Sequence, residues 1–170
     1  MPHRIIDVPL ESLPFVDEHF IEIAASPDLV WDALIRVLGG VSDGRSSAPI
    51  SRALGCAQTE VEGEVGEIGS TIPGFVVTRS IRPGVLALMG QHRFSRYALI
   101  FSIVEKPSGL ILLSAQTRAE FPRRRGRVYR GLVIDTRGHV LVTTGILRSV
   151  RKRAERARGQ PRRDPAPDGD

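Results

Sequence analysis

Four histidines, a run of alternating glutamates and a single cysteine are the side chains here whose chemistry could exceed packing. His92 shares strand parity with Leu86, Leu88, Gly90 and Phe94, so an inward-facing strand would carry its imidazole into the interior. His139 stands near the start, or a kink, of the last helical pattern and could reach the same space. Imidazole ordinarily titrates near neutrality, so a facing pair could serve as acid and base. His92 is therefore the candidate for a catalytic acid/base, although a hydrogen-bonded structural histidine is the favoured reading of both positions. His3 lies in the N-terminal stretch, and His19 sits in the first strand among acids.

Glu60, Glu62, Glu64 and Glu67 would put three carboxylates on one strand face, where paired acids could move protons or hold a hard cation. Their alternation with Val61, Gly63 and Val65 reads more simply as an exposed strand. Cys56 can form no internal disulfide and no thiolate cluster, and it reads as a small buried hydrophobe in a reducing compartment. The sequence contains no Gly-x-Ser-x-Gly elbow, no HExxH, no P-loop and no GxGxxG. No metal and no cofactor are expected.

The elements that would position such groups follow from periodicity and turn residues. Phe15 to Ala24 predicts a strand, with Asp17, Glu18 and Glu22 giving it a wet face or a sheet edge. Ser26-Pro27-Asp28 predicts a helix start: a side-chain cap, a proline suited to the first turn and an acid at the positive end of the dipole. Val30, Leu34, Val37 and Leu38 continue at helical spacing, Trp31 packs beside them, and Gly39-Gly40 is expected to stop the helix. A second short helix is expected over Pro49 to Ala57. Strands follow over Phe75–Ile81, Val85–Phe94, Arg96–Glu105 and Leu110–Phe121, separated by the turn signatures Arg82-Pro83-Gly84 and Lys106-Pro107-Ser108-Gly109. Val140, Thr143, Leu147, Val150 and Ala154 make one apolar stripe on a last helix running to about Ala157. Tyr97, Leu99, Phe101 and Ile103 form a bulky strand face that would serve as core and cavity wall together, and Tyr129 could place its hydroxyl at the mouth of such a cavity.

A chain of 170 residues with 41% hydrophobic content can build one aliphatic core, and 5% aromatics offer little for stacking on nucleic-acid bases. Charge is unevenly spread. Residues 1–100 carry 8 Arg against 12 acids, a net of −4, whereas residues 101–170 carry 16 Lys and Arg against 7 acids, a net of +9. Arg118, Arg123, Arg124, Arg125, Arg127 and Arg130, with Arg148, Arg151, Lys152, Arg153 and Arg156, could contact phosphates. A solvated basic face is the simpler account. Arg118 shares parity with Ser114, Gln116 and Glu120 on a polar face taken as outward. Nucleic acid is accordingly not favoured as a partner, an anionic membrane surface stays open, and the oligomeric state cannot be read. With no apolar stretch of membrane-spanning length and no signal-peptide pattern, a cytoplasmic protein is expected.

The run FVDEHFIEIAASPDLVWDAL resembles the opening strand and capped helix of the SRPBCC, or START/Bet v 1-like, superfamily. IPGFVVTRSIRPGVLALMGQHRFSRYALIFSIVEKPSGLILLSAQTRAEF is similar to that family's meander, and GRVYRGLVIDTRGHVLVTTGILRSVRKRAER to its closing helix. A branch of polyketide-cyclase-like members resembles it as well. The resemblance implies an α+β helix-grip fold: a curved antiparallel sheet wrapped around a long C-terminal helix, with one or two short helices after the first strand. It divides the chain into an N-terminal extension (1–14), a START-like domain (15–158) and a disordered tail (159–170). It also implies an apolar ligand, such as a lipid, quinone or polyketide-like molecule, held between sheet and helix. Phe75, His92, Tyr97, Leu99, Phe101, Tyr129 and His139 are the candidate contacts. The alternatives are a cyclase or dehydratase using the same cavity through His92, and an adaptor docking through the basic C-terminal surface. Rieske-type members need Cys and His pairs that this chain lacks.

Overall fold

Alternation of apolar and polar residues between glycine- and proline-bearing turns produces a single six-stranded antiparallel sheet. The computed structural model describes residues 9–42, 63–92, 95–120 and 138–159. In chain order the elements are β1 (Phe15–Ile23), α1 (Pro27–Ser42), β2 (Thr71–Ile72), β3 (Phe75–Ile81), β4 (Val85–His92), β5 (Ser95–Glu105), β6 (Ile111–Glu120) and α2 (Gly138–Arg158). The sheet order is β1-β6-β5-β4-β3-β2, so the last strand returns beside the first and leaves β1 at one edge. Both expected tight turns are present. Gly84 N–H donates to the Ile81 carbonyl at 2.7 Å, and Gly109 N–H to the Lys106 carbonyl at 2.9 Å. The Arg82–Pro83 peptide is cis.

One sheet face is the main core. Ile23 of β1, Ile111, Leu113 and Ala115 of β6, Phe101 and Ile103 of β5, Leu86 and Leu88 of β4, and Phe75 and Val77 of β3 are buried together. Both helices cover this face, packing on one another and, through α2, on β1. Val30, Trp31, Leu34 and Leu38 come from α1; Ile146, Leu147, Val150 and Ala154 come from α2. The stripe expected on the last helix is thus the buried one, with Ile146 added, and Arg148, Arg151, Lys152, Arg153 and Arg156 face solvent. The end of α2 is tied to the chain after β1: Arg158 donates to the Ala24 carbonyl at 3.1 Å, and Glu155 accepts from the Ala24 N–H at 3.4 Å.

Ser26 caps α1 as its residue type dictates, its hydroxyl accepting from the Leu29 N–H at 3.4 Å. Asp28 and Asp32 on the exposed side of α1 hold Arg82 of the β3–β4 turn, each at 3.0 Å. The hydrogen bond to Asp28 is the main cause of a raised Arg82 pKa. All three groups are well exposed, so the clasp contributes little to stability. Replacing Ser26 with alanine removes one cap bond, already long, and is expected to cost about 0.5–1 kcal/mol in urea unfolding.

Two expectations need correction. The helix does not stop at Gly39-Gly40 but continues to Ser42. An interior glycine costs only about 1 kcal/mol against alanine, less than the packing of Val37 and Leu38 in the same turn returns. The glutamate alternation does not continue as a strand into its described part. Gly63–Gly66 is turn, with Gly63 at φ 81° and Gly66 at φ 107°, and Glu64 and Glu67 are exposed. Glu60 and Glu62, Cys56, the helix expected over 49–57 and Arg123 to Arg130 lie outside the described residues.

The opposite sheet face has its own small core. The chain before β1 makes a short 3-10 turn, Leu10–Ser12, and lays Leu10 and Leu13 on Ala87, Met89, Ala98 and Ile100. Arg118 does point outward from β6, as its parity predicts, but it is occupied there: its guanidinium donates to the Leu13 carbonyl at 2.9 Å and to Gln116 at 2.7 Å. Ala119 N–H adds a bond to the Pro14 carbonyl at 3.0 Å.

Candidate functional site

Along β5 the inward residues run from fully buried to half-open. Phe101 is 0% exposed, Ile103 is buried, and Leu99 and Tyr97 are only partly buried although they stand on the same face. The sheet face is therefore sealed at the Ile103 end and looser at the Tyr97 end. Tyr97 is cross-strand to Gly90, and its ring occupies the space a side chain there would take. A Cβ on Gly90 would lie 2.2 Å from the ring and 2.3 Å from the Gly74 carbonyl oxygen. The tyrosine hydroxyl donates to that same carbonyl at 3.0 Å, and the ring meets Phe75 edge-on, centroids 5.1 Å apart.

Where β1 meets β6, polar residues join this face: Asp17 and Thr117 level with Leu99, and His19 level with Phe101. Register pairs Ile23 with Ile111, Ile21 with Leu113, His19 with Ala115 and Asp17 with Thr117. Positions 17, 19, 21 and 23 share one face, so Asp17 and His19 continue the row of Ile21 and Ile23 under α2. His19 Nε2 lies 3.2 Å from Asp17 Oδ2, with 30% and 22% of the two side chains exposed. A carboxylate only accepts, so Nε2 is the donor, and in neutral imidazole Nδ1 is then left as acceptor. Thr117 Oγ1 is buried with no hydrogen-bond partner among the described residues. Beside these groups a groove of about 320 Å³ opens between β1 and α2, lined by Glu18, His19, Phe20, Ile21, Thr144, Leu147 and Arg148.

Four of the expected contact residues, Phe75, Tyr97, Leu99 and Phe101, stand on this sheet face. His92 falls in β4 opposite Ser95, and His139 in the first turn of α2. The placement of both imidazoles, and the whole of Tyr129, lie outside the described residues. The sequence reading missed Asp17, His19 and Thr117. Asp17, Glu18 and Glu22 suggest a wet face or a sheet edge, and β1 is an edge strand. Glu18 and Glu22 are exposed, but Asp17 alternates with them and belongs to the opposite side. Parity with Ile21 and Ile23 was the available signal. Among the described residues no group of three His, Cys, Asp or Glu could hold a metal ion.

No family model matches the sequence, and no curated protein does. Solved structures match in number. The di-domain aromatase/cyclase StfQ of the steffimycin biosynthetic pathway superposes with a TM-score of 0.60 at 16% identity, covering 89% of this chain and 54% of that one. Norcoclaurine synthase from Thalictrum flavum, in truncated form, gives 0.51 at 14% identity, covering 80% and 94%. The chain has the helix-grip fold that these structures share. A conserved protein from Geobacillus kaustophilus matches similarly, with a TM-score of 0.50 at 15% identity over 82% of this chain and 95% of that one. Identities this low carry the architecture and no residue roles. Among the described residues, no helix is long and apolar enough to cross a membrane.

Proposed function

We propose that the sheet face beneath α2 binds an apolar small molecule of lipid, quinone or polyketide-like character, in the reducing environment of the cytoplasm. The observation that carries this reading is the groove between β1 and α2. It brings Ile21 and Leu147, members of the core face, into contact with open space of about 320 Å³. Thr144 of α2, with Ile21 and Leu147, completes the wall on the sheet-facing side. Burial at about 25 cal/mol per Å² of apolar area supplies the affinity, and His19, Thr144 and Arg148 supply the few polar groups that fix orientation.

Native mass spectrometry of the purified protein, followed by denaturing extraction, tests this reading. A retained small molecule, or a rise in melting temperature with one member of a panel of lipids, quinones and aromatic polyketides, is the expected result. A bound ligand at 100 times its Kd stabilises by about 2.7 kcal/mol. Replacing Ile21 with tryptophan fills the groove beside Leu147. It is expected to abolish ligand retention while costing about 1–3 kcal/mol of stability. An empty protein that no panel member stabilises overturns the proposal.

A further inference from the structure

We propose that the outward side of α2, with the rim of the groove beside it, docks on an anionic membrane surface. This goes beyond the binding reading: exposed groups define the docking surface, whatever fills the groove.

α2 has two sides. Thr143, Val150 and Ala154 are buried in the protein, and residues three, four or seven apart return to one side of a helix. Leu141, Arg148, Lys152 and Arg156 therefore form a second stripe on the side away from the core, and all four are exposed. The helix carries six lysines and arginines against one acid, Glu155. That acid is committed within the molecule, to Arg151 at 3.2 Å and to the Ala24 N–H at 3.4 Å. Among the described residues no acid pairs with Arg148, Lys152, Arg153 or Arg156. Like charges spaced four residues apart on a helix repel one another, and an anionic surface laid against them turns that repulsion into attraction.

The apolar end of the stripe selects a bilayer over nucleic acid. Leu141 is 75% exposed and Phe20 is 70% exposed, the two highest values for large hydrophobic side chains among the described residues. Phe20 lines the groove with Thr144 and Arg148, and Leu141 stands one turn before Thr144 on α2. Two apolar side chains beside a row of cations match a membrane interface, where hydrocarbon lies just beneath charged headgroups. A nucleic acid would engage the cations and leave Leu141 and Phe20 in water, and the stripe itself has no ring to stack on a base. Glu18 is the acid on this rim, and Arg148 lines the same groove with the opposite charge. In this orientation the groove opens toward the bilayer, so an apolar molecule passes between the two without crossing water. That last consequence alone rests on the binding reading.

Co-sedimentation of the full-length protein with lipid vesicles tests the proposal. Binding is expected to vesicles of equal parts phosphatidylcholine and phosphatidylserine, not to phosphatidylcholine alone, and it should weaken as salt is added. Each lysine or arginine near such a surface is worth about fivefold in partitioning. Lys152→Gln combined with Arg156→Gln is therefore expected to lower binding by about 25-fold. Leu141→Ser is expected to lower it by about tenfold, through lost apolar burial. All three positions are exposed, so melting temperatures should not move. Arg79→Gln combined with Arg82→Gln removes the same charge from β3 and its turn, toward the other edge of the sheet, and should change binding by less than about twofold. Equal losses in the two double variants would mean that net charge and not this surface binds, and would overturn the proposal. So would an unchanged Leu141 variant, no binding by the wild-type protein, or tighter binding to duplex DNA that ignores Leu141→Ser. Each of these leaves the ligand panel above to decide the binding reading on its own.

Discussion

Gly90→Ala is expected to destabilise the protein by about 2–4 kcal/mol, a large effect for one added methyl group. The new Cβ would stand 2.2 Å from the Tyr97 ring and 2.3 Å from the Gly74 carbonyl oxygen, and one of these contacts is to backbone. The ring must therefore swing away. Overpacking of this kind costs about 1–3 kcal/mol. Displacing the ring also loses its edge-on contact with Phe75, worth about 0.5–1.5 kcal/mol, and the hydroxyl bond to Gly74. Urea unfolding reads the loss directly. A double replacement, Gly90→Ala with Tyr97→Leu, should be less destabilised than the sum of the two single changes, because removing the ring removes one of the two collisions and leaves only that with the Gly74 carbonyl. Additive losses, or a cost under about 0.5 kcal/mol for Gly90→Ala alone, would show that the ring does not occupy the glycine's space.

Leu13→Ala is expected to cost about 2–3 kcal/mol, although Leu13 precedes the first strand. Its side chain is 1% exposed and packs with Leu10 on Ala87, Met89 and Ala98 of the outer sheet face. Buried leucine-to-alanine changes cost about 2–5 kcal/mol, and the lower part of that range applies because a short terminal segment can settle into the space left. The same change should weaken hydrogen-exchange protection at the Ala119 amide, which bonds to the Pro14 carbonyl. Unchanged stability and protection would mean that the segment lies on the sheet without holding it.

Strands were legible wherever their ends carry backbone-specific residues. Phe75–Ile81 is found as expected because Arg82-Pro83-Gly84 bounds it, and the Ser26-Pro27-Asp28 start of α1 is found for the same reason. Local signals failed where tertiary packing outweighs them. Gly39-Gly40 reads as a stop only if nothing holds the next turn, and alternating Glu and Val resembles a strand only until Gly63 and Gly66 take positive φ. Leu10 and Leu13 could not be placed from sequence because their partners on β4 and β5 are more than seventy residues away. The site was half legible. The bulky row of Tyr97, Leu99 and Phe101 followed from composition. Asp17 and His19 did not, because their residue types suggest solvent while their parity places them under α2.

An apolar molecule is expected to bind between β1 and α2. Backbone amide NMR during titration with uncharged N-phenylnaphthylamine locates it most directly. Shifts concentrated at His19, Ile21, Thr144 and Leu147, with Met89, Ala98 and Ile100 of the outer face unmoved, are the expected result. Shifts confined to the outer face or to the basic surface of Arg151 to Arg156, or no shifts at all, would contradict it.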